Sequence, residues 1–159
     1  MVCIFTPFLL NAQIFSNTLP IPPRESISAG TTFGMDAVES THNFDPSGFI
    51  TSINLNVNLP TYAYQKSSAS SPSILGPTLV VQKGGQITFD LANSLVGVNT
   101  SCYFRGLNTP AIYGPHNEIA PNANKAETFR VIDPVKTASY QPLLFNGNTN
   151  GQVSKGLAG

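Results

Sequence analysis

An all-β sandwich or barrel of about eight short strands is the fold the sequence predicts, and three observations predict it. Gly and Pro number 13 each in 159 residues while charged residues make up only 10%, so breakers recur at the spacing that short strands need and long helices forbid. Ile50 to Asn58 alternates strictly, with Ile53, Leu55 and Val57 set against Asn54, Asn56 and Asn58, the pattern of a strand with one buried face. Gly76 to Asn93 reads as a β-hairpin. Pro77 opens its first run where a missing donor matters least, Lys83-Gly84-Gly85 turns the chain, and Ile87, Phe89 and Leu91 share one face of the return. At 16.9 kDa the chain suits one domain with enough length to bury a core.

Taken in order, Met1 to Ala12 is apolar but shorter than the roughly 20 residues a bilayer span needs. Residues 1–12 read as the apolar part of a clipped secretory signal peptide, with Ala12 before the cleavage point, or, since no basic residue precedes the run, as a buried N-terminal strand. On the first alternative the chain is exported, Cys3 departs with the leader and Cys102 remains as a lone thiol. Residues 13–30 form an extended lead-in, because Pro20, Pro22 and Pro23 fix φ and remove donors. Residues 31–159 read as the domain proper.

Within it, Thr31 to Val38 places Phe33, Met35 and Ala37 on one face, Asp45-Pro46-Ser47-Gly48 is a turn, Leu59 to Tyr64 is a strand and Lys66 to Ser73 an exposed loop. Ser101 to Gly106 and Glu127 to Ile132 are further strands, the second with Phe129 and Val131 inward. Between them runs a Pro/Asn/Gly loop from Asn108 to Ala126 that contains His116. From Ala138 to Gly159 a Tyr-containing strand leads into a Gly/Asn-rich loop and a short helical turn, with no His, Cys, Asp or Glu anywhere in it. The positions there best placed to hold a metal or a proton carry Gln141, Leu143 and Phe145.

Eight basic residues balance eight acidic ones and no basic stripe occurs, so the electrostatic term behind nucleic-acid or anionic-membrane binding is missing. Neither is an expected partner. Asp45, Asp90, Glu118, Glu127 and Asp133 read as turn or strand-edge charges, without an acid–base pair among them. There is no Ser-His-Asp order and no phosphate-cradling loop, since Lys83-Gly84-Gly85 joins two strands and opens no helix.

Four blocks share an order and spacing that point to a family. They are Leu19-Pro20-Ile21-Pro22-Pro23, then Leu75-Gly76-Pro77-Thr78-Leu79-Val80-Val81-Gln82-Lys83-Gly84-Gly85, then Gly114-Pro115-His116-Asn117-Glu118-Ile119-Ala120-Pro121, and last Gln152-Val153-Ser154-Lys155-Gly156-Leu157-Ala158-Gly159. Together they resemble the first plastocyanin-like (cupredoxin) domain of bacterial multicopper oxidases. The resemblance implies a Greek-key cupredoxin-like β-sandwich, exported to the periplasm or beyond, from a protein with two or three such domains. It also implies an apolar closing strand after Gly-Leu-Ala-Gly. The sequence ends at Gly159, so the expectation is a C-terminally truncated member lacking that strand, marginally stable or oligomeric, with an open edge for another chain or a further cupredoxin domain.

In that family the first domain supplies two His-X-His pairs to a trinuclear copper centre, because alternate residues of a strand face the same way and can converge on one cluster. The segment that matches His-Trp-His-Gly is Tyr103-Phe104-Arg105-Gly106, and the one that matches Tyr-His-Pro-His is Tyr140-Gln141-Pro142-Leu143. Gly106, Tyr140 and Pro142 agree with the family, whereas Tyr103, Arg105, Gln141 and Leu143 replace its ligands. The expectation is therefore no metal ligand, no catalytic residue and no cofactor, copper being implied by resemblance alone. His42 and His116 are separated by most of the sheet, His116 in a loop that the family does not use for ligation, and Cys102 reads as a small buried residue, since a blue-copper thiolate needs two imidazoles beside it. His116 reads as a solvated or loop-anchoring residue. Two functions follow as expectations: a non-catalytic module for structure or protein contact, or part of a laccase-like oxidoreductase whose copper other domains hold.

Overall fold

Alternation in the sequence becomes alternation in burial along the long strands. The computed structural model describes residues 21–43, 58–69, 74–107, 117–132, 138–145 and 148–159. Within them the chain forms β1 (Arg24–Ile27), β2 (Thr32–His42), β3 (Leu59–Lys66), β4 (Thr78–Val81), β5 (Gln86–Asn93), β6 (Tyr103–Arg105), β7 (Asn124–Arg130), β8 (Ser139–Gln141) and one short helix, α1 (Thr149–Ser154). Phe33, Met35 and Ala37 of β2 are buried, as are Ile87, Phe89 and Leu91 of β5, because successive side chains of a strand point to opposite faces.

One layer is a four-stranded sheet in the order β3-β2-β5-β7. In it β2 lies antiparallel to β3 and parallel to β5, with Phe33 opposite Phe89, and β5 lies antiparallel to β7, with Ile87 opposite Phe129. The facing layer is in two pieces, β1 parallel to β4 and β6 antiparallel to β8. Phe104 of β6 binds the layers together: its ring meets Phe89 edge-on at 5.2 Å, lies 6.1 Å from Phe129 and 5.8 Å from Tyr140. Such aromatic pairs add about 0.5–1.5 kcal/mol each beyond the area they bury. Ile27, Leu79 and Val81 reach the same core from the other piece. The result is a cupredoxin-like β-sandwich.

The hairpin expected over Gly76 to Asn93 does not form. Its two runs become β4 and β5, which lie in different layers, so Lys83-Gly84-Gly85 carries the chain across the core instead of folding it back in one sheet. Gly84 takes φ of 78°, its N–H donates to the Val131 carbonyl at 2.7 Å, and the Val131 N–H donates to the Gly85 carbonyl at 3.2 Å. An apolar face on each run requires only that both look inward, and two strands do so equally well from opposite sides.

The domain also reaches back into the segment assigned to the lead-in, for β1 pairs with β4 along its whole length, Arg24 opposite Thr78 and Ile27 opposite Val81. Pro23 borders that strand where only a carbonyl is needed, and it accepts the Thr78 N–H at 2.8 Å. Strand β7 begins at Asn124, earlier than the expected Glu127. The leader at 1–12, the turn at Asp45 to Gly48, the alternating run up to Val57, and His116 lie outside the described residues.

Chain ends and strand starts meet at Tyr140. Tyr140 and Gly159 exchange both backbone hydrogen bonds, at 2.8 and 3.0 Å, while the Gly76 N–H donates to the Ala158 carbonyl at 2.9 Å. A Cβ on Gly76 would stand 2.5 Å from the Tyr140 hydroxyl, and one on Gly159 would run into the ring. Blocks far apart in the sequence are thus one packing unit.

Candidate functional site

From Ser139 to Phe145 burial alternates without a break: Tyr140, Pro142 and Leu144 face the core, while Gln141 and Leu143 are half-buried and Ser139 and Phe145 exposed on the outer face. In β6 the inward residue is Phe104, leaving Tyr103 half-buried and Arg105 exposed. Register places Tyr103 directly opposite Gln141 and Arg105 opposite Ser139. The Ser101 hydroxyl then brackets Leu143, accepting from its N–H and donating to its carbonyl, both at 2.9 Å, which carries the pairing one step beyond Gln141. Tyr103, Arg105, Gln141 and Leu143, the four positions expected to match the family's ligands, therefore gather on the outer face of β6 and β8, as the period of two requires.

That face is held from behind. The Tyr140 hydroxyl donates to the Pro77 carbonyl at 2.5 Å and the Tyr64 hydroxyl to the Ser101 carbonyl. The Phe145 N–H donates to Glu118 Oε1 at 2.8 Å and the Leu144 N–H to Thr149 Oγ1 at 2.9 Å. Beneath it lies Cys102, fully buried. Burial pushes the Cys102 thiol well above its ordinary range. It also raises Tyr64 and Tyr140, with the nearby Cys102 adding to both. At neutral pH these three groups are protonated, and Cys102 packs as a small apolar side chain.

Chemically the face offers a phenol, a guanidinium, an amide and an alkyl group, with Phe145 beside them 64% exposed. Among the described residues no group of three or more His, Cys, Asp or Glu side chains comes together. His42 ends β2 opposite Leu59, in the other layer. Of the carboxylates, Asp90 accepts from Asn124 Nδ2 at 3.1 Å, Glu118 accepts from Asn99 Nδ2 at 3.1 Å, and Glu127 lies on β7 opposite Phe89; Asp45 and Asp133 lie outside the described residues.

A second recess of about 430 Å³ opens beside α1 between Tyr62, Asn99, Glu118, Gln152 and Lys155. Gln152 is its floor, buried and clamped, its amide nitrogen donating to the Asn99 carbonyl at 2.6 Å and its oxygen accepting from Thr100 Oγ1 at 2.9 Å. This role was not read from the sequence, where the only sign of it was the place of Gln152 at the head of the last family-like block.

Residues 54–159, well over half of the chain, match the profile of the multicopper oxidase family. The chain belongs to that family. Over 156 residues it is 27% identical to the multicopper oxidase mco of Staphylococcus aureus, covering 94% of this chain and 31% of that protein. Over 89 residues it is 36% identical to the multicopper oxidase mco of Staphylococcus haemolyticus, covering 55% of this chain and 20% of that protein. Among solved structures, the McoA multicopper oxidase of Aquifex aeolicus superposes with a TM-score of 0.71 at 21% identity, over 90% of this chain and 28% of that one. The laccase of Pediococcus acidilactici does so with a TM-score of 0.67 at 23% identity, over 89% of this chain and 29% of that one. These structures share the fold. This multicopper oxidase domain spans less than a third of the length of either staphylococcal relative. No helix among its described residues is long and apolar enough to cross a membrane.

Proposed function

We propose that this multicopper oxidase domain is a non-catalytic module of the cell exterior, in which the outer face of β6 and β8 meets protein in place of copper. One observation supports the reading: Tyr103 and Gln141 stand opposite each other with Arg105 and Leu143 on the same face, so the positions that the resemblance assigns to a cluster lie together and none of them carries an imidazole. This donor set does not fit a copper ion. Arg105 brings a fixed positive charge, Leu143 has no lone pair, Gln141 offers only a neutral amide oxygen, and Tyr103 is a poor donor while protonated. Exposed Arg105 and half-buried Tyr103 beside Leu143 and Phe145 have instead the composition of an interface centre, which a further cupredoxin domain or another chain would cover. Export rests on the apolar leader at residues 1–12.

A second reading is favoured by the share of its relatives that the chain spans, 20–31%: part of a laccase-like oxidoreductase whose copper other domains hold. Copper loading followed by exhaustive dialysis and metal analysis tests the first reading, with a variant carrying Tyr103→His, Arg105→His, Gln141→His and Leu143→His as comparison. The expected outcome is that the native chain retains no stoichiometric copper and the four-histidine variant retains more. Stoichiometric, tightly held copper on the native chain would overturn the reading.

A further inference from the structure

Two opposite charges line the recess beside α1 without pairing with each other. The Lys155 ammonium stands 4.5 Å above the centre of the Tyr62 ring and donates to its hydroxyl at 3.2 Å, and among the described residues no carboxylate pairs with it. Glu118 is held by its own donors, Asn99 Nδ2 on Oε2 at 3.1 Å and the Phe145 N–H on Oε1 at 2.8 Å. Glu39, which shares an adjoining recess with Lys155 and Tyr62, takes the Val96 N–H at 3.2 Å.

The amides around these charges sort by wall. Asn148, Gln152 and Lys155 come from α1 and its caps, whereas Asn99 and Glu118 flank the bridge that joins Thr100 to Ile119. A primary amide carries two N–H donors and two lone pairs. Gln152, only 5% exposed, spends one N–H on the Asn99 carbonyl and one lone pair on Thr100 Oγ1, so one donor remains. Asn148 commits its oxygen to the Gly151 N–H and keeps its NH2 group unspent, while Asn99 commits its nitrogen to Glu118 and keeps its oxygen. The α1 wall thus offers chiefly donors and a positive charge, and the other wall acceptors and a negative one.

We infer that the recess binds a small zwitterion of the amino-acid class, its carboxylate toward Lys155 and the amides of Gln152 and Asn148, its ammonium toward Glu118 and the Asn99 oxygen. A lone anion entering here meets Glu118 and a lone cation meets Lys155, whereas a ligand carrying both charges sets each against its opposite in charge-assisted hydrogen bonds. At about 430 Å³ the space falls within the range of small-molecule sites, about 300–1,000 Å³. The site shares no residue with β4, β8 or the last four residues of the chain. It is independent of whether the outer face of β6 and β8 meets protein or copper.

The test titrates the full chain with glycine, β-alanine, γ-aminobutyrate and L-glutamine, and with acetate and ethylammonium as carriers of one charge each. Binding is read by calorimetry and by nitrogen-15 NMR. At least one zwitterion is expected to bind about tenfold or more tightly than either single-charge probe, shifting the Gln152 side-chain amide and the Phe145 N–H and leaving β7 unchanged. Lys155→Met weakens that zwitterion by about tenfold or more, and Lys83→Met, in the turn ahead of β5, leaves it as it was. Glu118→Gln weakens the zwitterion and strengthens acetate, a reversal that damage to the fold does not produce.

No binding by any of the four zwitterions would overturn the proposal. So would acetate or ethylammonium binding as tightly as the best of them, which makes the recess a site for one charge. Equal effects of Lys155→Met and Lys83→Met, or shifts confined to residues away from α1, Asn99 and Glu118, would overturn it too. Copper retention has no bearing on these outcomes, so the recess and the copper-free face stand or fall separately.

Discussion

Tyr140 sits where Gly76, Pro77 and Gly159 close around its ring, and Phe104 and Tyr64 complete the enclosure at 5.8 and 5.6 Å. It is one of three buried groups, with Tyr64 and Cys102, whose protons are held by desolvation. In the unfolded chain they ionise at their ordinary values, about pH 8.5 for cysteine and 10 for tyrosine, while the folded chain keeps its protons. Above that range the unfolded state binds fewer protons than the native one, so stability is full below about pH 8.5 and falls as pH rises, by up to roughly 1.4 kcal/mol per pH unit for each group. The urea midpoint is expected to be flat in this respect from pH 7 to 8 and to drop by pH 10.5, and Tyr64→Phe, though it leaves the Ser101 carbonyl without its donor, should flatten the drop. An equal midpoint at pH 8 and 10.5 would mean that these groups ionise as freely in the fold as in water.

At the scale of elements, the crossing between β4 and β5 determines which strands become neighbours. Gly84 makes it, with φ of 78° and nothing within 4 Å of where a Cβ would stand, so a side chain there is penalised through the backbone and not through crowding. Gly84→Val is expected to lower unfolding stability by about 1–2 kcal/mol, and Gly84→Asn by less, because asparagine visits the left-handed region more readily. Urea unfolding curves with an unchanged slope check this, and equal losses for the two variants would place the cost elsewhere. The short helix α1 is held differently. Too brief to be stable alone, it is capped by Asn148, whose side chain accepts the Gly151 N–H at 2.7 Å, and it is clamped through Gln152 to Asn99 and Thr100.

For the whole molecule, Phe104 is the bridge between layers, touching Phe89 and Phe129 of one and Tyr140 of the other. Removing it should cost about 3–5 kcal/mol, comparable to the lower end of a domain's total of about 5–15 kcal/mol. Phe104→Ala is therefore expected to bring the thermal transitions seen by far- and near-ultraviolet circular dichroism down together. A near-ultraviolet transition that moved alone would show the layers to be separable. Much of this architecture was legible beforehand. The inward faces of β2 and β5 follow from their alternation, whereas the reading of Tyr103, Arg105, Gln141 and Leu143 as replaced ligand positions comes from a family resemblance and belongs to the proposed function. The hairpin over Gly76 to Asn93, the extent of β1 and the clamp at Gln152 were not legible in the same way. Periodicity determines which side chains look inward, because that is a property of each strand's own pleat; which strand lies beside which, β1 with β4 and β6 with β8, was decided only by tertiary structure, because backbone pairing joins residues that no local pattern relates.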